Sequence, residues 1–293
     1  VPAEFTVRDI GSSRFGALGG PAQPARMTLP LKKVACDFGD HMVGDFSELE
    51  RETIYQAIAG EHRSVPFFVR GDVWRRTLPK AVGYIHIQRC GFKVPNFHDA
   101  CHLDDARRRD TGQHVDVSGG WHDAGDLRKW MFATPMLGIA LLRLARELGE
   151  RWDLGGAGLP PLLDEVRWGN RYFLRMQDAD GLVWHDAAGG SDGDNSDNHW
   201  TDNKIGTQDD RFINTTKVPL IQAMFISLEA MAAGFIRKTD PGYAAQCLGA
   251  AVRCFQALKR MPPLTAPRPP WGGNPIRDLA WRARAAAELY RAT

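Results

Sequence analysis

The chain has 293 residues, of which 43% are hydrophobic and 25% are charged, as in a folded protein with one large domain and one small one. A net charge of +2 gives no reason to expect a nucleic-acid partner or a polybasic membrane partner. No run of about 18 apolar residues is apparent, so we predict no membrane span.

Residues 1–70 are predicted to form a small β-sandwich. Polar and apolar residues alternate at 3–8, and a stretch rich in Gly and Pro follows. Two short strands around a turn are predicted at 53–60 and 64–69. The pattern shows no other early strands that would complete the sandwich.

Residues 71–293 are predicted to be mainly α-helical, because their apolar residues recur three and four positions apart. The predicted helices span 74–87, 127–148, 161–177, 218–236, 242–259 and 278–292. Long polar loops connect them, and such loops on a helical frame usually carry function. A ring of paired helices cannot bury its inner faces with half the pairs missing, so we expect the chain to be an incomplete part of such a fold.

Two acidic residues, Asp123 and Asp126, follow a glycine-rich run and precede the predicted helix at 127–148. Three residues apart at a helix start, they can face one direction, and a helix N-terminus favours ionised carboxylates. A general base must be ionised to take a proton from water, which makes the pair a candidate catalytic site. The alternative is that both residues only cap the helix and form turns.

The run at 118–126, Ser-Gly-Gly-Trp-His-Asp-Ala-Gly-Asp, closely resembles the signature of glycoside hydrolase family 9, a family of cellulases. Further segments that resemble the family are 88–91, 167–169, 176–181, 202–203 and 207–211, and two that are similar to its immunoglobulin-like domain are 44–47 and 64–67. The resemblance implies a mainly α fold. It consists of an apparently incomplete (α/α)6 barrel over 71–293, preceded by a partial immunoglobulin-like β-sandwich over 1–70.

The same resemblance implies hydrolysis of β-1,4-glucosidic bonds in cellulose or related β-glucans with inversion. Asp126 matches the base that activates the attacking water, and Asp123 matches a helper that hydrogen-bonds this water. The family's general acid is a Glu in an Asn-Glu context, and this sequence offers only Glu288 on an ordinary helix face. We therefore expect this polypeptide alone to lack the acid and to be inactive.

Two alternatives to an endo-acting cellulase stay open. One is an exo-acting glucosidase or glucosaminidase on short oligosaccharides, because loop shape at the ends of the cleft decides between endo and exo action. The other is a non-catalytic carbohydrate-binding fragment, which would follow from the absent acid.

Cys90, Cys101, His102 and His122 form a second candidate site. Two sulfur ligands and two imidazoles make a tetrahedral set suited to zinc, and four protein ligands leave no open position, so the metal would be structural. The set resembles a pattern found in a subset of family members with the immunoglobulin-like domain. The alternative is two buried Cys and two solvated His residues.

Four acidic residues in a loop rich in Gly and Asn are compatible with calcium, or equally with a solvated acidic loop: Asp192, Asp194, Asp197 and Asp202. Candidate sugar contacts are Trp200 and Trp121, whose rings could stack on pyranose faces. Asp209 and Arg211 are predicted to shape the cleft as a charge pair, or to form an ordinary surface ion pair.

The location in the cell is left open by the sequence. Five Cys residues cannot all pair, which favours a reducing or metal-bound setting. A β-glucan substrate favours export, and we expect an extracellular or periplasmic location over a cytoplasmic one.

Overall fold

A computed structural model describes residues 2–11, 26–149, 159–189, 201–267 and 273–293. The chain separates into two compact units, Val1–Leu78 and Pro79–Thr293. The sequence places the boundary somewhat earlier, between residues 70 and 71.

The first unit contains a sheet of six strands. They are β1 (Glu4–Asp9), β2 (Arg26–Cys36), β3 (Gly39–Gly44), β4 (Thr53–Ala59), β5 (His62–Arg63) and β6 (Phe67–Val69). The strand order is β3-β2-β1-β4-β5, with β6 also paired with β4, and all neighbours are antiparallel. Phe5 and Val7 lie two residues apart on β1 and therefore on one face, where they pack with Tyr55 as a small apolar core.

The strands predicted at 3–8 and 53–60 are confirmed as β1 and β4. The strand predicted at 64–69 is shorter, because the chain first forms the tight β4–β5 hairpin and only then pairs β6 with β4. The β2–β3 hairpin was not predicted. Within the described residues this unit is one sheet, so its strand content supports the predicted β-module without showing a second, facing sheet.

The second unit is built from helices. The first helix, α1 (Val73–Ile87), spans the boundary between the units. The other helices are α2 (Thr134–Leu148), α3 (Leu162–Arg175), α4 (Pro219–Ile236), α5 (Pro241–Leu258) and α6 (Pro275–Ala292). All six were predicted, and five lie within a few residues of their predicted bounds. They are compatible with part of an (α/α)6 barrel, although a closed ring is not seen in the described residues.

Helix α4 is the central element of this unit and packs against α2, α3, α5 and α6. It is long and apolar enough for a membrane span by composition, but 89% of it is buried inside the unit. Helix α4 is therefore apolar because it is a core helix, with buried side chains on every face.

A small sheet, which the sequence did not predict, lies among the loops of the helical unit. It consists of β7 (Arg107–Arg108), β8 (Lys129–Trp130), β9 (Asp186–Ala188) and β10 (Phe212–Asn214), in the order β7-β10-β9-β8. Strand β7 runs parallel to β10, and the other neighbours are antiparallel. The sheet joins loops that are far apart in sequence.

The helix predicted at 127–148 begins seven residues late, at Thr134. Leu127 has a φ of 59°, outside the right-handed helical region, and Lys129 and Trp130 pair with β9. Pro135 then occupies the first turn of α2, where a proline is tolerated. Asp123 and Asp126 therefore do not stand at a helix N-terminus, and the helix dipole does not act on them.

Candidate active site and metal-binding loops

The loop that carries the acidic pair is fixed at its start by the segment that follows α1. The Cys90 N–H donates to the Gly120 carbonyl at 2.9 Å, and the His122 N–H donates to the Gln88 carbonyl at 2.8 Å. Gly120 has a φ of 80°, and a Cβ there would lie 2.7 Å from the Tyr172 ring. Only glycine meets both constraints, which explains one glycine of the run.

Trp121 is a core residue, and its prediction as a sugar contact is wrong. Its side chain is fully buried, and its indole Nε1 donates to Glu165 Oε1 at 2.8 Å. The ring packs on α3 at Gly169, where a Cβ would lie 2.1 Å from Cζ3. Glu165 also accepts hydrogen bonds from Arg89, so the indole belongs to a buried polar network and presents no face to a ligand.

Asp123 and Asp126 are both half-buried and lie on the turn between the glycine-rich run and β8. The Asp123 N–H donates to the Arg128 carbonyl at 2.9 Å, which closes this turn. Burial, and then the negative charge of Asp126, raise the pKa of Asp123 to about 6. The buried oxygen Oδ1 of Asp123 has no hydrogen-bond partner among the described residues.

Arg211 is buried and links the residue that follows Asp126 to Asp105. It is 3% exposed and makes a bidentate ion pair with Asp105, with distances of 2.8 Å and 2.6 Å. Its third nitrogen, Nη1, donates to the Leu127 carbonyl at 2.5 Å, one residue after Asp126. Arg211 is therefore a buried partner of Asp105 and not the surface ion pair that the sequence left open as the alternative.

Lys129 completes a buried group of charges with Arg211 and Asp105. Its Nζ lies 2.6 Å from Asp105 Oδ2 and donates to the carbonyls of Val117 at 2.6 Å and Gly119 at 3.1 Å. Burial by itself raises the pKa of Asp105, but the charges of Arg211 and Lys129 lower it to about 2. Through Lys129 and Arg211, the Asp105 carboxylate thus stabilises both ends of the loop that carries the acidic pair.

Asp105 and Lys129 were not among the residues predicted from the sequence to support the site. Two signals were available: an Asp pair that follows Cys101-His102 after one intervening residue, and a single Lys within an apolar run that was interpreted as a helix. A buried Lys is almost always paired with an acidic group, so a Lys in this apolar run indicated a carboxylate partner. Which carboxylate it was depended on the fold.

A second ion pair lies beside the same turn. Arg128 donates through Nε to Asp186 Oδ2 at 2.9 Å, and His185 Nδ1 lies 2.8 Å from the same oxygen. The Arg128 guanidinium also lies over the Trp130 ring, 4.2 Å from its centroid. Because Asp186 and Trp130 pair across β9 and β8, the small sheet positions all these groups next to the Asp123–Asp126 turn.

The four predicted zinc ligands, Cys90, Cys101, His102 and His122, come together. All are buried, and each offers one ligand atom within 4.8 Å of the other three. Cys101 Sγ lies 3.8 Å from His122 Nε2. A tetrahedral zinc ion with Zn–S of about 2.3 Å and Zn–N of about 2.0–2.1 Å has S and N ligands roughly 3.6 Å apart, so the donor set fits zinc.

The electrostatics of this cluster favour a thiolate at Cys90. Burial by itself raises the pKa of its thiol, but hydrogen bonding with Cys101 and the charges of Lys129 and His122 bring the pKa well below its ordinary value. Burial lowers the pKa of His122 and so disfavours its charged form, while the neighbouring Cys90 acts in the opposite direction. A thiolate and neutral imidazoles are the forms that bind metal.

The remaining predicted residues make local contacts or lie outside the described chain. Asp209 Oδ2 accepts from the Asp202 N–H at 2.7 Å and Oδ1 from Thr207 Oγ1 at 2.7 Å, so the side chain orders its own loop. Glu288 pairs with Arg291 on α6 at 3.2 Å. The predicted residues outside the described chain are Trp200, Asp192, Asp194 and Asp197.

Comparison with known proteins places these features in one family. The model of glycosyl hydrolase family 9 matches residues 74–293. Endoglucanase D of Acetivibrio thermocellus is 30% identical over 253 residues, which are 75% of this chain and 37% of that protein. A cellodextrinase of Butyrivibrio fibrisolvens is 32% identical over 162 residues, 50% of this chain and 30% of that protein.

A solved structure extends the similarity to both units. The Zn-binding triple mutant of the glycoside hydrolase family 9 endoglucanase J30 has a TM-score of 0.76 and 29% identity, covering 99% of this chain and 57% of that chain. The chain therefore spans between 30% and 57% of the length of these three relatives.

Proposed function

The chain belongs to glycosyl hydrolase family 9, and from that premise we propose that it supplies the water-activating site of an enzyme that hydrolyses β-1,4-glucosidic bonds in cellulose or a related β-glucan with inversion. Asp126 is the base that takes a proton from the attacking water. Asp123 is the second carboxyl group that positions this water. The observation that carries the proposal is the interaction between Asp123 and Asp126 on a turn fixed by buried ion pairs.

The two carboxyl groups have different roles because their environments differ. With a pKa of about 6, Asp123 is protonated in weakly acidic solution and can donate a hydrogen bond. Asp126 can then accept the proton of a water that both groups hold. Such a pair keeps one base charged without placing two negative charges side by side.

The rigid surroundings of the turn support this assignment. Leu127 is held by Arg211, and Val117 and Gly119 are held by Lys129, so both flanks of the pair are fixed by charged donors. A base that is positioned before the substrate arrives need not be reorganised during the reaction. We expect substrate to approach the partly exposed side of Asp123 and Asp126.

Inversion also requires a general acid about 6.5–9.5 Å from the base, with room for the water between them. The chain covers only part of the length of its relatives, and we propose that a Glu in a part of the family fold outside this chain supplies the acid. Turnover is therefore a property to be tested on the full-length protein.

Zinc is proposed as a structural component of this site. Cys90, Cys101, His102 and His122 would hold it with no open coordination position. His122 directly precedes Asp123, so bound zinc would fix the start of the turn that carries the acidic pair. The structure of a Zn-binding triple mutant of endoglucanase J30 is compatible with this proposal.

The substrate class is supported by relatives whose names are endoglucanase and cellodextrinase. The first name favours an endo-acting enzyme on polymer, and the second favours action on short oligosaccharides. A polymeric β-glucan lies outside the cell, so we propose an extracellular or periplasmic location. Glucosamine oligomers are the alternative short substrate.

The test is product analysis with the full-length protein. Soluble cellopentaose and carboxymethylcellulose are incubated with enzyme, and the new reducing ends are followed by proton NMR in the first minutes. Inversion predicts α-anomers that later mutarotate, whereas initial β-anomers would contradict direct attack by water. A fast loss of polymer viscosity indicates endo action, and release of short products without it indicates exo action. Absence of hydrolysis of β-glucan and glucosamine oligomers would leave only the carbohydrate-binding alternative.

A further inference from the structure

A carboxyl group that the proposed reaction does not use lies in the core of the helical unit. Glu229 on α4 is fully buried, and the sequence of that helix contains no other ionisable residue. No Lys, Arg or His in the described part of the chain forms an ion pair with it. A buried carboxylate without a cation is unfavourable, so burial favours the neutral acid.

Side chains from two other helices contact Glu229. Asn170 on α3 donates through Nδ2 to Glu229 Oε2 at 3.1 Å and to the hydroxyl of Tyr243 on α5 at 3.1 Å. Cys247, one turn further along α5, has its Sγ 3.3 Å from the same nitrogen and is also hydrogen-bonded to Glu229. These four residues, the Glu229 cluster, therefore lie where α3, α4 and α5 meet.

Two oxygens of the Glu229 cluster lack a donor. Glu229 Oε1 and Asn170 Oδ1 are both buried, and neither has a hydrogen-bond partner among the described residues. An amide oxygen and an ionised carboxylate are both acceptors only, so they cannot form a hydrogen bond with each other. A protonated carboxyl group has one O–H donor, and a hydrogen bond from Oε1 to Oδ1 would satisfy both atoms.

The electrostatics of the cluster agree with a protonated Glu229. Burial outweighs the hydrogen bonds from Asn170 and Cys247 and raises the pKa of Glu229 to about 8. Burial also raises the pKa of the Tyr243 phenol and of the Cys247 thiol, so both stay neutral where Glu229 titrates. The same holds for the thiol of Cys254, further along α5.

No charged group on the other helices that pack against α4 shifts the pKa of Glu229 within the described residues. The buried side chains of α2 include no titratable group. The buried acid of α6, Asp278, is paired with Arg282. On α3, the charge of Arg171 acts on Tyr243. The cluster is therefore isolated from cations that would stabilise an ionised Glu229.

We propose that Glu229 is a neutral carboxylic acid that donates its proton to Asn170 Oδ1, and that loss of this proton in alkaline solution releases α3 from α4 and α5. Ionisation transfers the proton to the solvent, removes the only donor available to Asn170 Oδ1 and leaves a negative charge in the core. The Glu229 cluster is thus a pH-sensitive contact between three helices.

Helix α3 connects this contact to the loop that carries the acidic pair. Gly169, directly before Asn170, packs against the Trp121 ring. Trp168 Nε1 donates to the Gly120 carbonyl at 3.0 Å. Release of α3 would therefore weaken the support of the glycine-rich run that precedes Asp123 and Asp126.

The first test compares the full-length wild type with Glu229→Gln, because Gln is neutral, has nearly the same shape and can donate to Asn170. Since the pKa of Glu229 is raised on folding, the stability that it contributes is complete below about 4.5 and is lost as the pH rises to about 8. Relative to Glu229→Gln, the unfolding constant of the wild type should rise about tenfold per pH unit across this window and then level off. Urea denaturation between pH 4 and pH 9 measures it.

The matched control is Glu147→Gln, because the Glu147 side chain is 70% exposed and pairs with Arg146. Its difference from the wild type should stay nearly constant over the same range. A difference between Glu229→Gln and the wild type that is equally independent of pH would show that Glu229 is ionised in the folded protein, and would overturn the proposal.

Two measurements on the folded protein complete the test. Carbon-13 NMR of glutamate-labelled wild type should show Glu229 titrating near 8, and titration near 4.5 would overturn the proposal even if Glu229→Gln failed to fold. Hydrogen exchange followed by mass spectrometry should be faster in α3 of the wild type than in Glu229→Gln at pH 9, and equal at pH 6. Equal exchange at both pH values would contradict the release of α3.

Discussion

The carboxylate of Asp126 acts on Asp123 across a single turn of the chain. Together with burial, which has the larger effect, its negative charge raises the pKa of Asp123 to about 6. The effect requires the two carboxyl groups to lie close together, although no helix begins at this turn. The pair is therefore an electrostatic unit, and its properties can be measured separately from catalysis.

The pKa of Asp123 should fall when the charge of Asp126 is removed. In Asp126→Asn, the Asp123 carboxyl is expected to titrate below 6 but above its ordinary value of 3.8, because burial remains as a cause. The measurement is carbon-13 NMR of aspartate-labelled protein between pH 3 and pH 8. Asp110→Asn is the control, since Asp110 pairs with Arg108 elsewhere. An unchanged pKa in Asp126→Asn would show that the two carboxyls do not interact.

Catalysis should depend on Asp126 more than on any other residue of the turn. Asp126→Asn in the full-length protein is expected to lower kcat by a factor on the order of 10²–10⁴, because the water loses its base, with little change in KM. Asp123→Asn should lower kcat less, because an amide can still donate a hydrogen bond. The rates are measured on cellopentaose with Asp110→Asn as control. Near-normal turnover by a folded Asp126→Asn variant would remove the proposed mechanism.

Removal of Arg211 should destabilise the helical unit. Arg211→Met deprives buried Asp105 of its bidentate partner and Leu127 of its donor, and we expect a loss of about 3 kcal/mol in the free energy of unfolding. Lys129 still neutralises Asp105, which limits the loss. Urea denaturation provides the measurement.

The matched control for this variant is Arg146→Met. Arg146 pairs with Glu147 at 3.3 Å while its side chain is 60% exposed, so the same substitution should change stability by less than about 1 kcal/mol. Equal losses in the two variants would mean that the buried ion pair contributes no more than an exposed one.

Zinc should contribute to stability without being needed at the reacting bond. Cys90→Ser or Cys101→Ser is expected to lose bound zinc and to lower Tm, by about 4–8 °C if the lost stabilisation is about 2 kcal/mol. Cys36→Ser is the control, because Cys36 is exposed and lies in the β-unit. Zinc content is measured by mass spectrometry of dialysed protein and Tm by calorimetry. A zinc-free wild type whose Tm does not respond to added zinc would show that the four residues form no metal site.

Two helical glycines should respond in opposite directions to the same substitution. Gly169→Ala on α3 places a methyl group about where the Trp121 ring lies, and we expect a loss of about 1–3 kcal/mol. Gly234→Ala on α4 has open space within 4 Å and should gain up to about 1 kcal/mol from its better helix propensity. Both free energies come from urea denaturation. A stable Gly169→Ala variant would contradict the packing of Trp121 against α3.

The sequence alone was sufficient where the determining interactions are local. Helices α1 and α3–α6 were predicted from apolar residues three and four apart, since that spacing places them on one face whatever the rest of the chain does. The family was recognised from short runs of residues, and the four Cys and His residues from the chemistry of their side chains. None of these inferences requires knowledge of which distant segments meet.

The tertiary structure decided the features that depend on distant contacts. Residues 127–133 have a helical pattern, but Lys129 and Trp130 pair with β9, more than 50 residues away, and α2 starts only afterwards. Trp121 was predicted to stack on a sugar, but its ring is buried against α3. Arg211 forms its ion pair with Asp105, which lies 106 residues earlier in the sequence. Burial and ion pairing depend on which distant segments pack together, and local sequence periodicity does not predict this packing.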